Sequence, residues 1–133
     1  SPVQHADPQL RQHLLQHIDD MRRYADRDFR ERVYRALLVL VGKQRCTLDD
    51  LAHYFSLHQR TLNRRLKDSG TSFRELYAEA RHQTACQLLC DTRSSIQTIA
   101  TLLGYSDVTA FNRAFSRWEG MPPAQWRRHA QPG

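Results

Sequence analysis

Three cysteines among 133 residues, none of them in a CxxC pair, leave little material for a disulfide framework. Their odd number, with no secretory signal ahead of them, sets the expectation of reduced thiols in a cytoplasmic protein. Cys86 and Cys90 stand four residues apart and read as buried apolar thiols. The five glycines are scattered, and none belongs to a loop that could cradle a phosphate. No apolar run nears the roughly 18 residues that cross a bilayer; the longest, Ala36 to Val41, is about one and a half helical turns. Period-two alternation flanked by hairpin turns is also missing, which excludes an ordinary sheet. Most acids sit where first turns of helices would place them, so capping accounts for them and no convergent catalytic set remains. The sequence therefore calls for no enzyme activity, no cofactor and no metal. His13 and His17 in HLLQH lack a neighbouring Glu and a third ligand, and read as a solvated helix face.

What is present is positive charge, unevenly spread. Twenty Lys and Arg oppose fourteen Asp and Glu, for a formal charge of +6, which favours a polyanionic partner. Residues 1–31 carry five basic and six acidic side chains, so the whole excess lies after Glu31.

Apolar residues recur at helical spacing almost throughout, and the fold class is all-α. Leu10, Leu14, Ile18, Met21 and Ala25 line one side of an N-terminal linker helix. Asp28 and Glu31 read as a capping box that starts a second helix, ending at a left-handed Gly42. Thr47 caps a short helix that ends near Phe55, and a turn at Ser56 and Leu57 leads into HQRTLNRRLKDSG. Ser72 and Glu75 form the clearest capping box, opening a connector helix over about 72–91. Ser95 and Ser106 cap two further helices, the latter ending at Gly120, and Pro122 and Pro123 begin a final short one.

Two of these segments are copies of one unit. With one residue inserted in the second, Leu51, Ala52, Phe55 and Leu57 match Ile99, Ala100, Leu103 and Tyr105. Leu62, Asn63, Arg64 and Leu66 then match Phe111, Asn112, Arg113 and Phe115. A small residue where two helices cross, followed by a tight turn, is what a helix-turn-helix requires. The units span about 47–68 and 95–119. If Leu62 and Leu66 face inward, Arg60, Asn63, Arg64 and Lys67 face outward. In the second unit Val108, Thr109, Asn112, Arg113 and Ser116 do so. Arg and Asn read base edges bidentately, while Lys meets phosphate. The first face is the more basic, and is expected to supply more of the polar readout. A connector of about 19 residues spans ~28 Å, near the ~34 Å between successive major-groove faces of B-DNA. Trp118 and Trp126 read as core of the second lobe beside Phe115 and Pro122, rather than as platforms for single-stranded bases.

The stretch IATLLGYSDVTAFNRAFSRWEGMPPAQWR resembles the signature of AraC/XylS-type transcription regulators almost position by position, within a likeness covering about 29–130. The resemblance implies a bilobed domain with two recognition helices in adjacent major grooves of promoter DNA, and contact with RNA polymerase. It assigns base reading to Arg60, Asn63, Arg64, Val108, Thr109, Asn112 and Arg113, with phosphate contacts from Arg65, Lys67, Ser106, Ser116 and Arg117. His58 departs from the family, which carries a Ser or Asp cap there. Residues 1–28 fall outside the likeness and are expected to be a linker helix from a missing N-terminal domain, through which the full-length protein would form a homodimer. The rival expectation is a helical protein-interaction module without specific DNA binding.

Overall fold

In the computed structural model, which describes residues 7–43 and 46–130, the chain opens with one unbroken helix, α1, Pro8–Val41. The Asp7 carboxylate accepts from the Gln9 amide at 3.0 Å, and Pro8 occupies a first-turn position where no donor is needed. The break expected at Asp28 does not occur. No Gly or Pro interrupts residues 9–41, and extending a formed helix is favoured over ending it and nucleating another. Glu31 does not reach back to Asp28; its Oε1 accepts from Arg35 Nε at 3.2 Å. Nor is Gly42 a left-handed stop: its φ of −71° keeps it right-handed, and the Lys43 amide closes the end onto the Leu40 carbonyl at 3.0 Å.

Six shorter helices follow: α2 (Leu48–Tyr54), α3 (Gln59–Asp68), α4 (Phe73–Asp91), α5 (Ile96–Leu102), α6 (Val108–Glu119) and α7 (Pro123–Ala130). The described residues contain no strand, in keeping with the all-α expectation. The complete capping box lies at Thr47. Its amide donates to Asp50 Oδ2 at 2.9 Å, and the Asp50 amide donates to Thr47 Oγ1 at 3.1 Å. At Ser72 only half of the expected box forms. The Glu75 amide donates to Ser72 Oγ, but the Glu75 carboxylate accepts from the Thr71 hydroxyl instead of the Ser72 amide. The cap of α6 is Asp107, accepting from the Ala110 amide at 2.8 Å, and not Ser106 one residue earlier.

The core forms around α4. Phe29, Val33, Ala36, Leu37 and Val41 bury the inner half of α1, which packs against α2, α3 and α4. Leu51, Leu62, Leu66, Leu76 and Ala80 complete this first lobe, each at 1% exposure or less. Ile99, Leu103, Phe111 and Phe115 fill the second, with α7 closing against α4 and α6. Trp126 joins that core edge-on to Phe115, at 5.6 Å between ring centroids. Trp118 does not, contrary to the expectation. It is 51% exposed and lies stacked on His82, because it points along the flank of α6 beside α4. Cys90 is likewise exposed rather than buried, Cys86 is half-buried, and Cys46 is buried. The outer half of α1 projects from the domain, with Leu10, Leu14, Ile18 and Met21 each more than half exposed. His13 and His17 are exposed on the same stretch.

Candidate nucleic-acid interface

The repeat is reproduced in the hydrogen bonds of the two turns. The Leu57 amide donates to the Ala52 carbonyl at 2.9 Å, and the Tyr105 amide donates to the Ala100 carbonyl at 3.0 Å. One residue earlier, the Ser56 and Gly104 amides bond to His53 and Thr101, both at 3.1 Å. Both turn residues have positive φ, +53° at Ser56 and +81° at Gly104. The small Ala52 and Ala100 are 3% and 2% exposed, which lets the second helix of each unit cross closely over the first. The inserted residue falls after the shared turn, lengthening the approach to α6.

His58 precedes α3 without a capping hydrogen bond from its side chain. Another contact holds that end: Gln59 Nε2 donates to Asp49 Oδ1 at 3.0 Å, tying the start of α3 to the first turn of α2. Asp49 also accepts from His53, whose pKa is raised first by its bond to the Asp49 carbonyl and then by the Asp49 charge.

With Leu62 and Leu66 buried, Arg60, Asn63, Arg64 and Lys67 form one exposed stripe along α3. Among the described residues none of these four side chains makes a hydrogen bond or an ion pair, so their donors remain available to a ligand. Arg65 stands apart. Its guanidinium lies 3.8 Å over the Phe29 ring centroid, held against α1 and turned from the stripe. On α6, Thr109 and Arg113 are exposed, Asn112 and Ser116 are half-buried, and Val108 leans against the core. Arg117 is exposed one turn after Arg113, and Ser106 is exposed just outside the Asp107 cap. The α3 face thus carries Arg60, Arg64 and Lys67 where the equivalent face of α6 carries only Arg113.

Three supports of this surface are invisible to local sequence pattern. Arg127 on α7 places its guanidinium against the C-terminal end of α4 and the turn that follows it. It donates to Leu89 O at 3.1 Å and Ser94 O at 2.6 Å, and at 3.4 Å to Leu88 O and Thr92 O. Arg81 on α4 lies between two rings, 4.3 Å from that of Tyr77 and 4.1 Å from that of Tyr105. Tyr77 belongs to the first lobe, where its hydroxyl accepts from the Cys46 amide at 3.3 Å, while Tyr105 sits in the second unit's turn. His82 and Glu119 pair at 2.7 Å between α4 and α6. The Arg127 and His82 partners lie more than thirty residues away in the chain and Tyr105 lies 24 from Arg81, beyond the reach of periodicity or capping rules.

A family model described as a helix-turn-helix domain matches residues 51–129. An uncharacterized HTH-type transcriptional regulator of Mycobacterium tuberculosis is 44% identical over 82 residues, 62% of this chain and 24% of that protein. The transcriptional regulator VirS of the same organism is 32% identical over 128 residues, 96% of this chain and 38% of VirS. VqsM of Pseudomonas aeruginosa is 36% identical over 76 residues, 57% of this chain and 23% of VqsM, so the likeness spreads over several regulators. The chain therefore spans well under half the length of these relatives. Among solved structures, CdpR of P. aeruginosa shares 38% identity at a TM-score of 0.66, over 75% of this chain and 31% of that one. A DNA-binding transcriptional dual regulator of Escherichia coli shares 27% at 0.70, over 77% of this chain and 91% of that one.

Proposed function

This chain belongs to the AraC-type family of helix-turn-helix proteins, and from that premise we propose that it binds duplex promoter DNA with α3 and α6 in adjacent major grooves. The observation that carries the reading is the stripe of unpaired Arg and Asn side chains on α3, repeated in weaker form on α6. Arg60, Asn63 and Arg64 read base edges in the first groove; Val108, Thr109, Asn112 and Arg113 read them in the second. Lys67, Ser106, Ser116 and Arg117 contact phosphates. Arg65 does so only after leaving the Phe29 ring, and is the weakest of that set. The nineteen residues of α4, which joins the two units, span roughly 28 Å, a length that suits consecutive groove faces.

The domain serves transcription regulation rather than catalysis. It acts in the bacterial cytoplasm, meeting RNA polymerase when bound near a promoter. The exposed outer half of α1, Pro8 to Asp28, belongs to a linker, over about 1–28, to a sensing domain through which two copies pair. Titration of fluorescence anisotropy against a promoter library at several salt concentrations tests the central claim. A preferred site and an affinity falling steeply with salt are expected, since neutralised phosphates release counterions. A flat salt response, or equal binding to random duplex, would overturn it. Arg64→Ala and Arg113→Ala should each cost roughly 1–3 kcal/mol at the preferred site and relax its sequence preference, with helicity unchanged.

One observation favours a second reading, a helical protein-interaction module. Leu10, Leu14, Ile18 and Met21 present an apolar stripe on the outer half of α1. That reading expects partner binding without salt-sensitive DNA affinity.

A further inference from the structure

His82 and Cys86 lie one turn apart on α4, and Glu119 is the last residue of α6 facing them. The His82 Nε2 stands 2.7 Å from Glu119 Oε1 and 3.6 Å from Cys86 Sγ, and one donor atom of each residue falls within 4.8 Å of the others. All three side chains are half-buried. We propose that these three residues form a binding site for a borderline-soft divalent cation, zinc by preference, that clamps the end of α6 onto the connector α4.

The donor set is the first argument. One imidazole nitrogen, one sulfur and one carboxylate oxygen suit zinc, and three protein ligands leave a fourth position for water. Spacing is the second. Tetrahedral zinc with Zn–N and Zn–O near 2.0–2.2 Å and Zn–S near 2.3 Å separates its donors by about 3.3–3.6 Å. The nitrogen–sulfur distance is already there, while the carboxylate needs to withdraw from the imidazole by roughly half an ångström and swing toward the sulfur, which lies within 4.8 Å. Third, the imidazole is held in place: the Trp118 ring stacks on it at 4.9 Å and 12°, and Phe115 lies 5.2 Å away. Fourth, Glu119 puts a negative charge at the C-terminal end of α6, where the helix dipole disfavours one and a cation offsets both.

Burial, followed by the Glu119 charge, pushes the Cys86 thiol up to about 11, so its sulfur is protonated in the absence of a cation. Ion entry displaces that proton to water, and the sulfur lone pair goes to the metal. With Nε2 on the ion, the ring hydrogen stands on Nδ1, which is buried and makes no hydrogen bond. Lacking an outer partner on that nitrogen, the site should bind ~10- to 100-fold more weakly than one that has it.

Zinc titration of the full chain against a chromophoric chelator, with cobalt(II) as a spectroscopic probe, tests the site. About one ion per chain and a sulfur-to-cobalt charge-transfer band are expected. Cys86→Ser should abolish the band, Glu119→Gln should weaken zinc binding roughly tenfold or more, and Cys90→Ser should change neither. Zinc should raise the thermal midpoint of the unaltered chain and not that of Glu119→Gln. If Cys86→Ser loses helicity, the band and midpoint are judged on Glu119→Gln, whose carboxylate reaches the surface. Absence of uptake, or binding that survives in these variants and disappears with Cys90→Ser or with His13→Ala and His17→Ala, would overturn the proposal.

Discussion

Ser56 and Gly104 occupy the same place in two copies of one turn, yet only one is a glycine. At φ +53° the Ser56 Cβ crowds the following carbonyl, a strain of about 1–2 kcal/mol that Gly104 at +81° does not feel. Ser56→Gly should therefore stabilise the chain by about 0.5–1 kcal/mol after the greater freedom of its unfolded form is counted, and Gly104→Ala should destabilise it by about 1 kcal/mol or more. Urea denaturation of both variants checks this; equal effects would mean the turns are not equivalent. Asp50 offers a pH-dependent counterpart. Its hydrogen bonds, first from the Thr47 amide and then from the Thr47 hydroxyl, hold the carboxyl below its ordinary 3.8. A group depressed on folding contributes stability above its unfolded pKa, and that contribution is lost as pH falls through the folded value. Thermal midpoints followed from pH 6 downward should show an acid-side step that shrinks in Asp50→Asn, its onset near about pH 4.

Helices end where their last carbonyls find partners, and α4 ends on Arg127. Arg127→Ala would strip a charged donor from four carbonyls at once, and should cost about 2–3 kcal/mol, concentrated in the second lobe. Hydrogen exchange should then show α5–α7 opening more readily while α1–α3 stay protected; uniform loss across both lobes would contradict that placement. No local rule finds this contact, since Arg127 follows Leu89 by 38 residues. What could be read from sequence was whatever depends on near neighbours. The paired units, the buried stripe of each reading helix, the caps at Thr47, Ser72 and Ser95 and the extent of α4 all follow from spacing within one or two turns. The errors have the same origin. Asp28 and Glu31 carry a capping signature, but an uninterrupted helical context overrides it. Ser106 and Asp107 are both good caps, and pattern alone does not choose between neighbours. Trp118 has an apolar look, and its exposure is settled only by where α4 lies. The same holds for the site: the Arg60, Asn63, Arg64 and Lys67 stripe was legible, whereas the turning of Arg65 onto Phe29 required α1 in place.

At the scale of the molecule, two lobes share α4 and meet at Arg81. Its guanidinium sits between the Tyr77 ring of α4, which is tied to the first lobe through Cys46, and the Tyr105 ring of the second, so it bridges the two lobes. Arg81→Ala should leave both lobes folded by circular dichroism while reducing the advantage of a two-groove site over a single-groove one by several-fold, roughly 1 kcal/mol. Affinities measured on full and truncated duplexes decide it; an undiminished advantage would mean the connector alone sets the offset. The unbroken α1 has a mechanical consequence of its own. From Gln9 to Asp28 it extends about 30 Å beyond the packed segment with no glycine or proline to act as a hinge. A stiff rod of that length is a lever arm: a sideways displacement of about 5 Å at the tip tilts the inner end by about 10°. That inner end is the one clamped against α3 and α4 through Val33 and Leu37, so whatever grips the tip can steer the reading surface without touching it.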